Sequence, residues 1–169
     1  MPPDVEALFR AHHEPLFRYL VRLTGDAELA ADATQEAFVR MIEHRPEHKQ
    51  LRAWLYTVAT NYARESARTR GRRRDLARGA ELRLAPDPEP APDERADARR
   101  RAEKVRRGLD RLSDRDRTVL LMREEGFTHR EIADAVETTT KSVGTMIARA
   151  LDKLSLLLES ETPNPGPNP

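Results

Sequence analysis

The stretch 84–95, LAPDPEPAPDER, carries prolines at 86, 88, 90 and 92 with acidic residues between them. Each proline fixes φ and lacks a backbone N–H, so prolines at alternate positions oppose both a continuous helix and a central strand. Positions 71–97 are therefore read as a semi-extended, flexible linker. A second proline-rich run, ETPNPGPNP at 161–169, reads as a disordered tail. The chain is thus cut into two ordered pieces of modest size. Neither is long enough for a thick sandwich, and each must bury what apolar surface it has in a small core.

Both pieces carry helical periodicity. In the first, Val5, Leu8, His12, Leu16, Tyr19, Leu20 and Leu23 recur at spacings of three and four. Pro15 should kink or restart that helix, and Gly25 should close it. Asp26 is placed to cap a second helix whose inner face would be Leu29, Ala33, Ala37, Phe38, Met41 and Ile42. After a loop at 44–50, a third helix over about 51–70 would bury Leu51, Trp54, Leu55, Val58 and Tyr62. In the second piece, a helix ends with Val105, Leu109 and Leu112. Ser113 with Asp116 forms an imperfect capping box before RTVLLMRE, and Gly126 closes that helix. Thr128 with Glu131 is a full capping box before a short helix that buries Ile132, Ala133 and Val136. A longer helix follows, with Val143, Met146, Ile147, Ala150, Leu151 and Leu154 on one face. Short helix, turn and longer helix is the outline of a helix-turn-helix, whose second helix enters a DNA groove. The expected fold is all-α. It comprises a three-to-four-helix bundle at 1–70, the linker at 71–97, a helix-turn-helix domain at 98–158 and the tail at 159–169.

Charge is segregated along this plan. The chain has 30 basic and 29 acidic residues, a formal net charge of +1. Yet 64–78 holds arginines 64, 68, 70, 72, 73, 74 and 78 against Glu65 and Asp75. Acids 87, 89, 93, 94 and 97 stand against Arg95 alone, and 99–107 is basic again. Basic blocks flanking an acidic hinge suit two modules that face a polyanion, although arginine-rich helices can also be plain solvated faces. There are no cysteines, which excludes disulfides, a thiol nucleophile and Cys-ligated metal. The histidines at 12, 13, 44, 48 and 129 form no metal-binding motif; His12 reads as an inner-face residue and His129 as part of a helix first turn. No glycine-rich phosphate loop, G-x-S-x-G or paired buried carboxylates can be found, so no catalytic residue, cofactor, metal or small-molecule substrate is expected. No apolar run is long enough to span a membrane, and MPPDVEALF lacks the blocks of a signal peptide, so a cytoplasmic protein is expected.

Several motifs occur in a telling order: LFRYLVRLTGD (16–26), DATQEAFVRM (32–41), LRAWLYTVATNYARESAR (51–68), LSDRDRTVLLMREEGFTHREIADAV (112–136) and KSVGTMIARALDKL (141–154). In this arrangement the chain resembles a bacterial RNA polymerase sigma factor of the extracytoplasmic function (ECF) group. The resemblance implies a chain that binds core RNA polymerase, directs transcription initiation at a two-part promoter and assists promoter melting, with an anti-sigma protein as a usual partner. It implies that Asp32, Gln35, Glu36 and Arg40 face core polymerase, where a polar stripe supplies register and charge complementarity. It assigns the minus-ten element to Arg45, His48, Lys49, Arg52, Asn61, Arg64 and Arg68, cations and a polar group suited to catching bases as they unstack. Trp54 and Tyr56 are possible stacking platforms there, although Trp54 also sits at core spacing. It assigns the minus-thirty-five element to Thr139, Thr140, Lys141, Ser142, Thr145 and Arg149 at the start of the last helix.

The sequence departs from the family pattern in places. Thr60 stands where a basic residue is frequent, Glu65 where Asp is, Glu137 at the usual turn glycine, and Gly144 and Met146 where Lys and Arg are common. Two other readings are weighed beside this one. A stand-alone helix-turn-helix regulator would leave DATQEAF and RAWLYTVATNYAR without a role. A sigma-like decoy that binds an anti-sigma protein would fit a recognition helix with only Lys141 and Arg149 as cations.

Overall fold

A computed structural model describes residues 5–74 and 92–160. Seven α-helices make up most of the described residues: α1 (Val5–Thr24), α2 (Ala27–His44), α3 (Leu51–Arg74), α4 (Pro92–Asp110), α5 (Asp114–Glu124), α6 (His129–Ala135) and α7 (Thr140–Ser160). One 3-10 turn, His48–Gln50, leads into α3. No strand occurs among the described residues.

The predicted caps set the helix boundaries. Asp26 accepts from the Leu29 N–H at 3.0 Å, and Gly25 takes a φ of 66°, so α1 reverses into α2 through two residues. Ser113 accepts from the Asp116 N–H at 3.1 Å to start α5. Thr128 and Glu131 form the reciprocal capping box of α6. Helix α1 runs through Pro15 without restarting there, and α4 begins at Pro92, inside the stretch read as non-helical. A proline at the first helical position gives up an N–H that would be unpaired anyway, and its φ already suits a helix. Helix α3 also continues to Arg74, past the expected end near 70. The rest of the linker reading, 75–91, and the tail 161–169 lie outside the described residues.

Helices α1, α2 and α3 form a bundle around Leu16, Tyr19, Leu20, Ala33, Ala37, Phe38, Leu55 and Ala59. The alanines of α2 let its backbone approach its neighbours closely, as dense packing requires. The buried Tyr19 hydroxyl is paired with Thr60 Oγ1 at 3.0 Å, so Thr60 is a core residue rather than a position for a DNA-facing cation. Ile42, expected inside, is 53% exposed, although the adjacent Met41 is buried. Leu151 of α7, also expected inside, is 50% exposed. The second module packs α5, α6 and α7 around Val119, Leu121, Met122, Ile132 and Val143. The two sets of buried side chains are continuous. Tyr56 of α3 and Phe127 join them, with ring centroids 4.8 Å apart. The expected pair of separate cores is one core shared by two docked modules.

Candidate nucleic-acid interface

In the second module the turn between α6 and α7 positions the candidate reading face. Glu137 adopts a left-handed φ of 53°, the conformation for which glycine is the usual choice. The Arg115 guanidinium steadies this turn by donating to the carbonyls of Val136 at 3.0 Å and Glu137 at 3.5 Å. At the start of α7, the Thr139 and Ser142 hydroxyls pair at 2.8 Å, and the Ser142 N–H donates to the Thr139 carbonyl. Val143 and Ala150 point fully inward, with Met146 and Ile147 half-buried beside them. Thr139, Thr140, Lys141, Thr145 and Arg149 are left exposed, and Ser142 half-buried. Hydroxyls, free N–H groups at a helix start and two cations suit phosphates and base edges. Met146 packs against the core, so its departure from the family's basic residue removes no exposed contact. Gly144 is exposed, and a Cβ there would meet only His129 Cε1 at 3.7 Å, so packing does not demand glycine.

In the first module the candidates divide. Arg45 is the left-handed C-cap of α2, with a φ of 44° and its N–H donating to Met41, while its side chain is exposed. Lys49, Asn61 and Arg68 are exposed as well; the His48 side chain lies outside the described residues. Arg52 and Arg64 instead turn toward the second module. Arg52 donates to the Glu125 carbonyl at 2.7 Å, pairs with the Glu125 carboxylate at 3.5 Å, and lies 4.2 Å above the Phe127 ring. Arg64 donates to Thr118 Oγ1 at 3.2 Å, and burial holds its guanidinium below the usual arginine range. Tyr56 is buried between Tyr19 and Phe127 and serves the core, not a stacking platform. Burial, with the Glu125 charge second, pushes its hydroxyl up to about 12. Trp54 and Tyr62 are half-buried and pack against the core.

On α2, Gln35 and Arg40 are exposed and Asp32 and Glu36 half-buried, with Arg40 Nε donating to Glu36 at 2.7 Å. Val39, 43% exposed, and Ile42 extend the same stripe, so this surface is amphipathic rather than purely polar.

Sequence reasoning missed the residues that dock the modules. Arg22 reaches Glu124 and, at 3.8 Å, Glu125. Arg117 is buried and donates to the carbonyls of Leu109, Leu23, Asp110 and Leu112. Their partners lie up to a hundred residues away, and no local pattern marks such pairs. Among the described residues no cluster of His, Asp and Glu is arranged to hold a metal, and no helix is long and apolar enough to cross a membrane.

Comparison with known proteins matches two family descriptions in order: Sigma-70 region 2 over residues 8–73 and Sigma-70, region 4 over residues 102–154. The chain is 30% identical over 135 residues to the RNA polymerase sigma factor NccH of Alcaligenes xylosoxydans xylosoxydans, covering 76% of this chain and 73% of NccH. It is 26% identical over 155 residues to the ECF RNA polymerase sigma factor SigE of Mycolicibacterium smegmatis, covering 90% of this chain and 60% of SigE. Its fold is similar to that of the sigma factor RpoE in a co-crystal structure with the anti-sigma factor NepR from Bartonella quintana. That likeness has a TM-score of 0.73 at 20% identity and covers 94% of this chain and 98% of the other. The chain belongs to the extracytoplasmic function (ECF) group of the bacterial sigma-70 family of RNA polymerase sigma factors.

Proposed function

We infer that this protein is an alternative sigma factor that binds core RNA polymerase, directs it to a two-part promoter and helps open the start region. The observation that carries this reading is the pairing of two sigma-70 regions, in order, on one chain. The exposed start of α7 then offers its hydroxyls, Lys141 and Arg149 to the minus-thirty-five duplex. Arg45, Lys49, Asn61 and Arg68, with Arg52 and Arg64 once released, serve the minus-ten strand; His48 belongs to the same set. The α2 stripe of Asp32, Gln35, Glu36 and Arg40 docks core polymerase, with Val39 and Ile42 supplying apolar area beside it. The reaction itself belongs to the polymerase, and the working compartment is the cytoplasm. A second partner is an anti-sigma protein, as in the RpoE–NepR complex that shares this fold.

The α2 assignment is tested by reversing its charges. Asp32→Arg with Glu36→Arg should abolish co-purification with core polymerase while the far-UV spectrum is kept. Undiminished capture by core polymerase would show that the stripe is only a solvated face.

A further inference from the structure

Gly144 lies one turn inside α7, on the face that also carries Thr140, Lys141 and Ala148, all of them exposed. A Cβ built on it would stand 3.7 Å from Cε1 of His129, and no other group outside α7 comes within 4 Å of that point. His129 is the first residue of α6 and is itself exposed. Cε1 is the ring carbon bonded to both nitrogens, so the nitrogen-bearing edge of the imidazole is the edge laid against α7. No hydrogen bond or ion pair to that ring occurs among the described residues. An imidazole always carries at least one N–H to donate. The same surface is short of cations. Lys141 and Arg149 are exposed there, whereas Lys153 is drawn to Asp116 of α5. A polar ring without a protein partner therefore rests at the middle of the face assigned to the duplex.

We propose that His129 is a phosphate-contact residue of the minus-thirty-five interface, its imidazole seated across Gly144 and donating an N–H to a backbone oxygen of the duplex. The proposal rests on the minus-thirty-five reading of α7 given above. In a helix-turn-helix the second helix enters the groove while the first crosses the backbone. A side chain leaving α6 therefore meets phosphate before it meets a base edge. Glycine at 144 suits this arrangement. A long side chain there would have to pass over the imidazole, and without one the helix backbone and the ring approach the same strand together. A contact of this kind adds affinity on every sequence and discriminates among none.

Holoenzyme reconstituted from core polymerase and the full chain is titrated with two labelled duplexes. One is a promoter fragment, transcribed only when the chain is present, cut to keep the minus-thirty-five element and end upstream of the minus-ten element. The other has its minus-thirty-five element scrambled. His129→Ala should weaken binding to both by about five- to tenfold, leaving their ratio as in the parent. His129→Gln, which keeps an N–H donor, should recover most of the loss. Adding Gly144→Lys to His129→Ala should bring binding back to within about twofold, because an ammonium then reaches the phosphate from the same spot. In the parent, Gly144→Lys should gain less than it does beside His129→Ala. Unchanged binding in His129→Ala, with binding lost in Lys141→Ala combined with Arg149→Ala, would overturn the proposal and leave the minus-thirty-five reading standing. Unchanged binding in both variants would overturn that reading as well. A loss confined to the intact element would make His129 a base reader and refute the phosphate contact. A loss that neither His129→Gln nor Gly144→Lys recovers would refute it too, by making His129 a packing residue of the turn.

Discussion

Arg117 is the residue on which the docked arrangement most depends. It is 8% exposed, and the partners of its guanidinium among the described residues are backbone carbonyls. It donates to the Leu23 carbonyl at 2.7 Å, Leu109 at 2.8 Å, Asp110 at 3.0 Å and Leu112 at 3.4 Å. These carbonyls sit at the C-terminal ends of α1 and α4, where intrahelical partners run out and the helix dipoles are negative. One buried cation therefore completes two helix ends from different modules. Arg117→Met keeps the apolar stem and removes every one of these bonds. A hydrogen bond to a charged group contributes about 1.5–3 kcal/mol, and two of the four are short. Some of that is returned because the guanidinium no longer has to be desolvated, leaving an expected loss of about 2–4 kcal/mol. With a urea slope of about 2 kcal/mol per molar, the midpoint followed by circular dichroism should fall by about 1–2 M. Arg117→Lys, which retains the charge but reaches fewer carbonyls, should fall between the two. A methionine variant as stable as the parent would refute the reasoning, showing that desolvation outweighs the four bonds.

Alkaline stability follows from the two buried tyrosines. Tyr19 is pushed up mainly by burial, opposed by its Thr60 bond, and Tyr56 is pushed up to about 12 by burial and Glu125. Both stay protonated in the folded chain after they would ionise in the unfolded one. Their contribution is therefore complete below pH 10, the ordinary tyrosine value, and is lost as pH rises above it. Urea midpoints measured across that range should show a loss of about 1.4 kcal/mol per pH unit for each tyrosine. Tyr56→Phe should remove about half of that slope, and an unchanged slope would contradict the assignment. Glu137→Gly should stabilise the chain by about 1 kcal/mol, because it relieves a left-handed φ in a non-glycine residue. A lower melting temperature in that variant would mean that the Glu137 side chain contributes more than its backbone costs. Gly144→Ala should add about 1 kcal/mol of helix stability, since its Cβ meets only His129. If binding to minus-thirty-five duplex also weakens, close backbone approach at this position is established; if stability falls, the open space beside it is not real.

Much of the fold was legible because its signals are local. The caps at Asp26, Ser113 and Thr128 fix where helices begin by pairing groups three residues apart. The three-and-four periodicity then identifies the inward faces. What was not legible depends on distance along the chain. Periodicity places Ile42 and Leu151 on apolar faces, but how wide a strip of each helix is covered depends on the neighbouring helices, and Met41 and Ala150 beside them are buried while these two are exposed. Arg117 sits in DRDRT, indistinguishable by sequence from the arginines beside it, and only its carbonyl partners single it out. Thr60 looked like a missing cation, whereas its role is to satisfy Tyr19. The proline run was read as a continuous helix breaker, but Pro92 starts a helix because position within the helix decides what proline does. The candidate site was legible as a residue set, while the engagement of Arg52 and Arg64 by α5 depends on docking that no spacing encodes.

The central claim is that this chain confers promoter choice on core RNA polymerase. The most direct measurement is transcription by core enzyme reconstituted with the full chain, on genomic promoter fragments at fixed salt, with transcript start sites mapped. Discrete starts that appear only when the chain is present, and that are lost with Asp32→Arg and Glu36→Arg, are the predicted result. Competent core enzyme that yields no promoter-specific transcript with the chain present would contradict the account.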